Sequence, residues 1–216
     1  MHPNDIKFAV GLHRGTAKTN NSFLEENGYV VVPSLYDPKK LYFDLPEGIT
    51  GQLNYGKTII DVTHVADEGQ VSGSLSRYGH PQYRPIHNEI RLKLQEIIGK
   101  PLCNTYYYDR FYFEDQELVK HVDREACEIS VSIHIGTNIK EPWAFCLTTP
   151  SGEDREVFLN PGDGVIYKGC EIVHWRDKMP LKKKWRDKTK YYYHQIFFHY
   201  VLRDGYKCQY AHDVIR

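Results

Sequence analysis

Residues 121–130 read HVDREACEIS, and downstream 160–175 read NPGDGVIYKGCEIVHW. The first stretch sets a histidine and an aspartate two positions apart at the head of a strand-like run. On a strand, residues i and i+2 point to one side, so His121 and Asp123 can offer an imidazole and a carboxylate to one point. A mononuclear iron(II) centre of the facial-triad kind needs two imidazoles and one carboxylate on one face of the metal, with three positions left open. The second stretch supplies the missing imidazole: a turn at 160–164, an apolar strand Val165–Tyr167, a bend at Gly169, then His174. The interval from Asp123 to His174 is long enough for several short strands that cross a small barrel and return. A lone H-x-D is a weak signal. Its weight here comes from opening a strand series that a Gly162-Asp163 turn, Gly169 and His174 then close.

Outward from this pair the chain divides at Pro101. Beyond it, residues 106–113, 128–135, 143–149, 156–159, 164–167 and 191–202 carry β-branched and aromatic residues between Gly, Pro, Asn and Asp turns, and read as strands. Before it, 21–37 (NSFLEENGYVVVPSLYD) reads as a short helix begun by an Asn/Ser cap and stopped at Gly28, then a strand Tyr29–Val32 and a turn at Pro33. His87–Ile98 set Ile90, Leu94, Ile97 and Ile98 on one helical face, ended by Gly99 and Pro101. Residues 1–20 have no pattern and read as a loose arm, and 37–86 read as long loops that shape a substrate mouth. Helices followed by a series of short strands imply a mainly β fold, an antiparallel sandwich or open barrel with supporting N-terminal helices. The length suits one domain over 1–216, with its β core at about 103–202.

Composition narrows the function classes. Lys+Arg and Asp+Glu are both 28, so no global charge draws a polyanion, and no nucleic-acid partner is expected. The one basic cluster, Lys182–Arg186, reads as a solvated loop. The 17 tyrosines suit strands and a pocket lined by amphipathic rings. The five cysteines form no C-x-x-C pair, which argues for a reducing compartment and against a zinc knuckle. No signal peptide or long apolar run is visible, so the expectation is a cytoplasmic protein without a membrane partner.

Taken together, the triad, the Gly162-Asp163…Gly169…His174 segment and the helical N-terminal half resemble the iron(II)/2-oxoglutarate-dependent dioxygenase superfamily, nearest its prolyl-4-hydroxylase-like branch. The resemblance covers about 22–36 and 87–202. It implies a double-stranded β-helix, or jelly roll, with Fe(II) held by His121, Asp123 and His174 and with 2-oxoglutarate and O2 as co-substrates. Oxidative decarboxylation to succinate and CO2 would drive hydroxylation of a C–H bond in a peptidyl or small-molecule substrate. Halogenating relatives usually lack the carboxylate, so Asp123 implies hydroxylation or a related oxidation.

The distal carboxylate of 2-oxoglutarate calls for a buried cation, best an arginine with its two-toothed fork. Family members carry it nine or ten residues after the distal histidine. That count falls on Lys183 or Lys184, while the last strand, YYYHQIFFHYV, has neither Arg nor Lys. Arg176, two residues past His174, is therefore the first choice. Arg110 is the second, on a strand face shared with Tyr106, Tyr108 and Tyr112, and Tyr112 stands where prolyl-hydroxylase-like members place a tyrosine on 2-oxoglutarate. His134 and His199 read as ordinary satisfied strand histidines, and Arg124 and Glu128 as groups that orient the ligands or as surface charges. Trp143 and Trp175 read as core anchors, and Cys127, Cys146 and Cys170 as small buried side chains. Two rivals share these residues: a cupin-like binding module without catalysis, and an Fe(II) oxygenase that does not use 2-oxoglutarate.

Overall fold

The computed structural model describes residues 16–41, the backbone of 64–65, 70–181 and 191–213. Its elements run α1 (Ala17–Asn27), β1 (Tyr29–Val32), α2 (Pro38–Leu41), β2 (His64–Val65), β3 (Leu75–Tyr78), α3 (Tyr83–Ile98), β4 (Leu102–Phe113), β5 (Leu118–His121), β6 (Ile129–Thr137), β7 (Phe145–Thr148), β8 (Asp154–Val157), β9 (Gly164–Tyr167), β10 (His174–Arg176) and β11 (Tyr192–Leu202). A seven-stranded sheet ordered β1-β9-β6-β11-β4-β3-β2 faces a four-stranded sheet ordered β5-β10-β7-β8. Every described pair is antiparallel. This is the double-stranded β-helix with N-terminal helices that the sequence implies.

Period-two alternation on β11 sorts side chains between two interiors. Ile196, Phe198 and Tyr200 join Ile90, Leu94 and Ile98 of α3 in one apolar cluster on the helix side of the large sheet. Gln195, Phe197 and His199 point the other way, in register with Arg110 and Tyr108 of β4 and with His134, Ser132 and Ser130 of β6. The barrel interior is thus polar and aromatic on the large-sheet side, while the space under α3 is greasy. A second apolar cluster, including Tyr29, Phe145, Leu147, Val165 and Tyr167, closes the sheets against each other.

Several expectations are corrected. α1 starts at Ala17, because the Thr16 side chain accepts from the Thr19 N–H and caps it; the loose arm therefore does not reach residue 20, and residues 1–15 lie outside the described residues. α3 starts at Tyr83, since Pro85 falls in its first turn, where the missing N–H has no partner to lose. The stretch 37–86 is not all loop: β3 pairs with β4 and extends the large sheet. Residues 42–63 and 66–69 of that stretch lie outside the described residues. H-x-D does not open a strand; His121 ends β5 and Asp123 lies beyond it. No described helix is long and apolar enough to cross a membrane.

Candidate metal centre

His121 at the end of β5 and His174 at the start of β10 face each other across the antiparallel pairing of those strands. Their ring centroids lie 4.3 Å apart. Each ring turns Nδ1 back to a main-chain carbonyl, His121 to Val119 at 2.8 Å and His174 to Ile172 at 2.9 Å. A carbonyl only accepts, so both Nδ1 atoms carry the proton and both Nε2 atoms present lone pairs. Each Nε2 lies 3.6 Å from Asp123 Oδ1. That is too far for a hydrogen bond. It is near the spacing of neighbouring ligands on one metal, about 3 Å for bonds of about 2.1 Å.

Asp123 reaches this point by a turn of the chain, its N–H held by Gly169 O at 2.8 Å, and not by strand alternation. Two nitrogen lone pairs and an anion that converge within 4.8 Å of one another repel unless a cation lies among them. The donor set, two imidazoles and one carboxylate without a thiolate, fits the facial triad of a non-heme iron(II) site.

Along β10 the interior continues with Arg176, only 1% exposed. Its guanidinium donates to Trp143 O at 2.9 Å, Gln195 Oε1 at 2.7 Å and Tyr193 OH at 3.5 Å, and lies over the rings of Trp143 and Tyr193. Among the described residues no carboxylate pairs with it, and its Nε has no hydrogen-bond partner. A buried cation held by neutral dipoles alone leaves room for an anion. Arg110 is also fully buried, donating to Ser76 Oγ at 3.1 Å, Tyr112 OH at 3.2 Å and Gln70 Oε1 at 3.0 Å. Tyr112 stands edge-on to Trp143 at 5.2 Å, so Arg110, Tyr112, Trp143 and Arg176 form one run of contacts. On the last strand the interior position belongs to the neutral Gln195, anchored to Ser132 Oγ at 2.9 Å. Lys183 and Lys184 lie outside the described residues.

Other expectations fare unevenly. Arg124 pairs with Asp213 at 2.6 Å and lies over the Tyr106 ring, and Glu128 accepts the Leu202 N–H at 2.7 Å. Trp143 lies under the Arg176 guanidinium, while Trp175 lies under the Lys120 ammonium at 3.8 Å. Cys127 and Cys146 are buried and Cys170 is half-buried. His134 and His199 are not fully satisfied: each keeps Nε2 without a partner, and burial pulls both imidazoles down to about 4. His134 also borders a cavity of ≈ 230 Å³ with Trp143, Phe158 and Tyr193. Three polar residues at the site were not singled out by sequence reasoning. Ser130 was legible in the alternation of Ser130, Ser132 and His134 with Val131 and Ile133. Gln195 stood in view on the last strand. Gln70, whose Nε2 lies 2.8 Å from His121 Nε2, comes from a stretch with no pattern.

No family model and no curated protein sequence matches the chain. Solved structures do. The α-ketoglutarate-dependent epimerase SnoN of nogalamycin biosynthesis aligns at 14% identity with a TM-score of 0.62, over 86% of this chain and 82% of that one. A Pseudomonas putida prolyl-4-hydroxylase aligns at 10% identity and 0.57, over 87% and 99%. HygX from Streptomyces hygroscopicus, solved with nickel and 2-oxoglutarate bound, aligns at 10% and 0.54, over 84% and 86%. At such identities the likeness is one of fold: the chain has the double-stranded β-helix of the 2-oxoglutarate/iron oxygenase structures.

Proposed function

We propose that the protein is an Fe(II)- and 2-oxoglutarate-dependent dioxygenase that hydroxylates a C–H bond of a small-molecule or peptidyl substrate, releasing succinate and CO2. The observation that carries this reading is one short strand with a lone-pair histidine at its start and, two residues on, a buried arginine that has no counter-ion among the described residues. His121 Nε2, Asp123 Oδ1 and His174 Nε2 are the iron ligands. Bound iron supplies the activation of O2. The chain's own residues do the rest.

Arg176 receives the distal carboxylate through its fork, with the Tyr193 hydroxyl beside it and Tyr112, backed by Arg110, against the Trp143 ring. Two residues along a strand span about 6.6 Å, the reach of a five-carbon dicarboxylate chelated at one end. Gln195 Oε1 turns the guanidinium toward that site. The rings of Tyr167 and Phe145, 4.7 and 5.6 Å from His174, shield the inner side of the centre from water. The missing basic residue on the last strand favours an oxygenase that does without 2-oxoglutarate, and Arg176 answers it from the neighbouring sheet. The structural neighbours include an epimerase and a prolyl hydroxylase, and HygX was also solved with hygromycin B, which supports a small organic substrate without choosing one.

The test is succinate formation from 2-oxoglutarate by anaerobically iron-loaded protein on exposure to O2, with and without chelator, beside 2-oxoglutarate binding measured directly. Chelator-sensitive succinate, lost in His174→Ala, is the expected result. Iron-loaded protein that neither binds 2-oxoglutarate nor yields succinate rejects the proposal.

A further inference from the structure

We infer that Ser130, His199 and Gly169 form a socket that commits one oxygen of Asp123 to the protein and dedicates the other to the metal; the inference rests on the metal reading above. The two carboxylate oxygens have different neighbours. Oδ1 faces the two imidazoles. Oδ2 lies 3.2 Å from Ser130 Oγ, which lies 2.9 Å from His199 Nδ1. The remaining wall is Gly169, where a Cβ would come within 2.4 Å of Cys127 O, 2.6 Å of Asp123 Oδ2 and 2.7 Å of Ser130 Oγ. Only a bare backbone leaves the carboxylate its place.

A proton count sets the direction of the relay. Ser130 has one hydroxyl hydrogen and four neighbours that can accept it: Asp123 Oδ2, His199 Nδ1, the Tyr167 hydroxyl and, at 3.4 Å, Cys127 O. An ionised carboxylate is the strongest acceptor of the four. The hydroxyl therefore donates to Oδ2, and its oxygen accepts from His199 Nδ1–H. The imidazole is held by stacking on Tyr106, with centroids 4.5 Å apart, and is 1% exposed. Orientation thus passes from ring stack to imidazole, hydroxyl and carboxylate. His121 and His174 have their backing in the main-chain carbonyls of Val119 on β5 and of Ile172 just before β10; Asp123 has its backing in the large sheet. A carboxylate free to turn can grip an ion through both oxygens and occupy a position that co-substrate or O2 needs. One tied at Oδ2 binds through Oδ1 alone.

Co(II) is the probe, titrated calorimetrically into wild type, Ser130→Ala, His199→Phe and the double variant, with visible spectra of the Co(II) forms. Ser130→Ala lowers Co(II) affinity about 10- to 100-fold and changes the Co(II) spectrum. His199→Phe keeps a stacking ring, loses the N–H and weakens binding several-fold. The double variant is no weaker than Ser130→Ala, because the two residues act in series. Ser130→Thr, which restores a hydroxyl on a strand, returns the wild-type spectrum. Wild-type affinity and spectrum in both single variants, or losses that add in full in the double variant, overturn the socket while leaving the metal site intact. A wild-type protein that takes up no Co(II) overturns the metal reading and the socket with it.

Discussion

A buried and a half-buried aspartate lie on opposite sides of the large sheet, and their surroundings differ in one respect. Asp109, on β4 under α3, is 0% exposed. Arg77 Nε lies 3.0 Å from each of its oxygens, the Arg77 terminal nitrogen closes the pair, and Tyr83 OH and His194 Nε2 donate at 3.2 and 2.7 Å. Asp123 has, among the described residues, one hydroxyl donor on Oδ2 and two imidazole lone pairs beside Oδ1. Burial opposes ionisation of both carboxyls, and at Asp109 the Arg77 guanidinium chiefly overcomes it. What separates them is the source of the counter-charge. Asp109 has a guanidinium of its own, and its cluster is complete. Among the described residues Asp123 has no guanidinium and Arg176 has no carboxylate.

The largest test of this contrast is to delete each carboxylate in turn. Asp109→Ala strands Arg77 in the interior and should cost about 3–5 kcal/mol in urea unfolding. Asp123→Ala should leave stability within about 1 kcal/mol, because no fixed cation loses its partner, and should abolish metal uptake. Equal losses of stability would break the comparison. Next in size is Gly169→Ala, which drives a methyl into the carboxylate socket. It should cost about 1–3 kcal/mol and weaken Co(II) binding at least about tenfold, and unchanged binding would show that Asp123 has slack the geometry denies.

Arg176→Gln sharpens the other half of the contrast, the cation without an anion. Loss of a charge-assisted hydrogen-bond pair of about 1.5–3 kcal/mol should raise the 2-oxoglutarate dissociation constant about 10- to 150-fold while metal affinity stays put. An unchanged constant would move the assignment to Arg110, tested by Arg110→Gln, or to Lys184.

The last test concerns pH. His87, His134, His194 and His199 are buried, and burial pulls them to about 3 for His87 and about 4 for the others. They stay neutral in the folded protein, while the unfolded chain binds protons near pH 6.5. Stability is therefore complete above that pH and declines as pH falls from about 6.5 toward 4, by about 0.4 kcal/mol per histidine at pH 6.5 and about 1.4 kcal/mol per histidine for each further unit. His194 belongs to the closed cluster and His199 to the open one, so His194→Phe and His199→Phe should each flatten the fall in urea midpoint between pH 7 and 5. A midpoint that does not move over that range would contradict the neutral state of both.

Much of this was legible in the chain alone. The strands beyond Pro101 other than β5 and β10, the helical face of Ile90, Leu94 and Ile98, and the three metal-ligand candidates follow from residue type and short-range spacing, which are local properties. That Arg176 shares a side with His174 followed from the same period-two rule. The rule misled at Asp123, which is placed by a hydrogen bond from its own N–H to Gly169, distant in sequence. Counting along the chain also pointed to Lys183 or Lys184 for the cation. The interior position on the last strand belongs instead to Gln195, and the nearest described cation to it is Arg176 of the opposite sheet. Ser130 and His199 looked ordinary because their meaning lies in a third residue from another loop. By itself, then, the sequence determined a run of short strands behind N-terminal helices and the residue types of the three candidate metal ligands. The tertiary structure alone decided which oxygen faces the ligands, which cation is left without an anion and which aspartate is already satisfied, because each depends on charges and dipoles that meet only when distant strands pair.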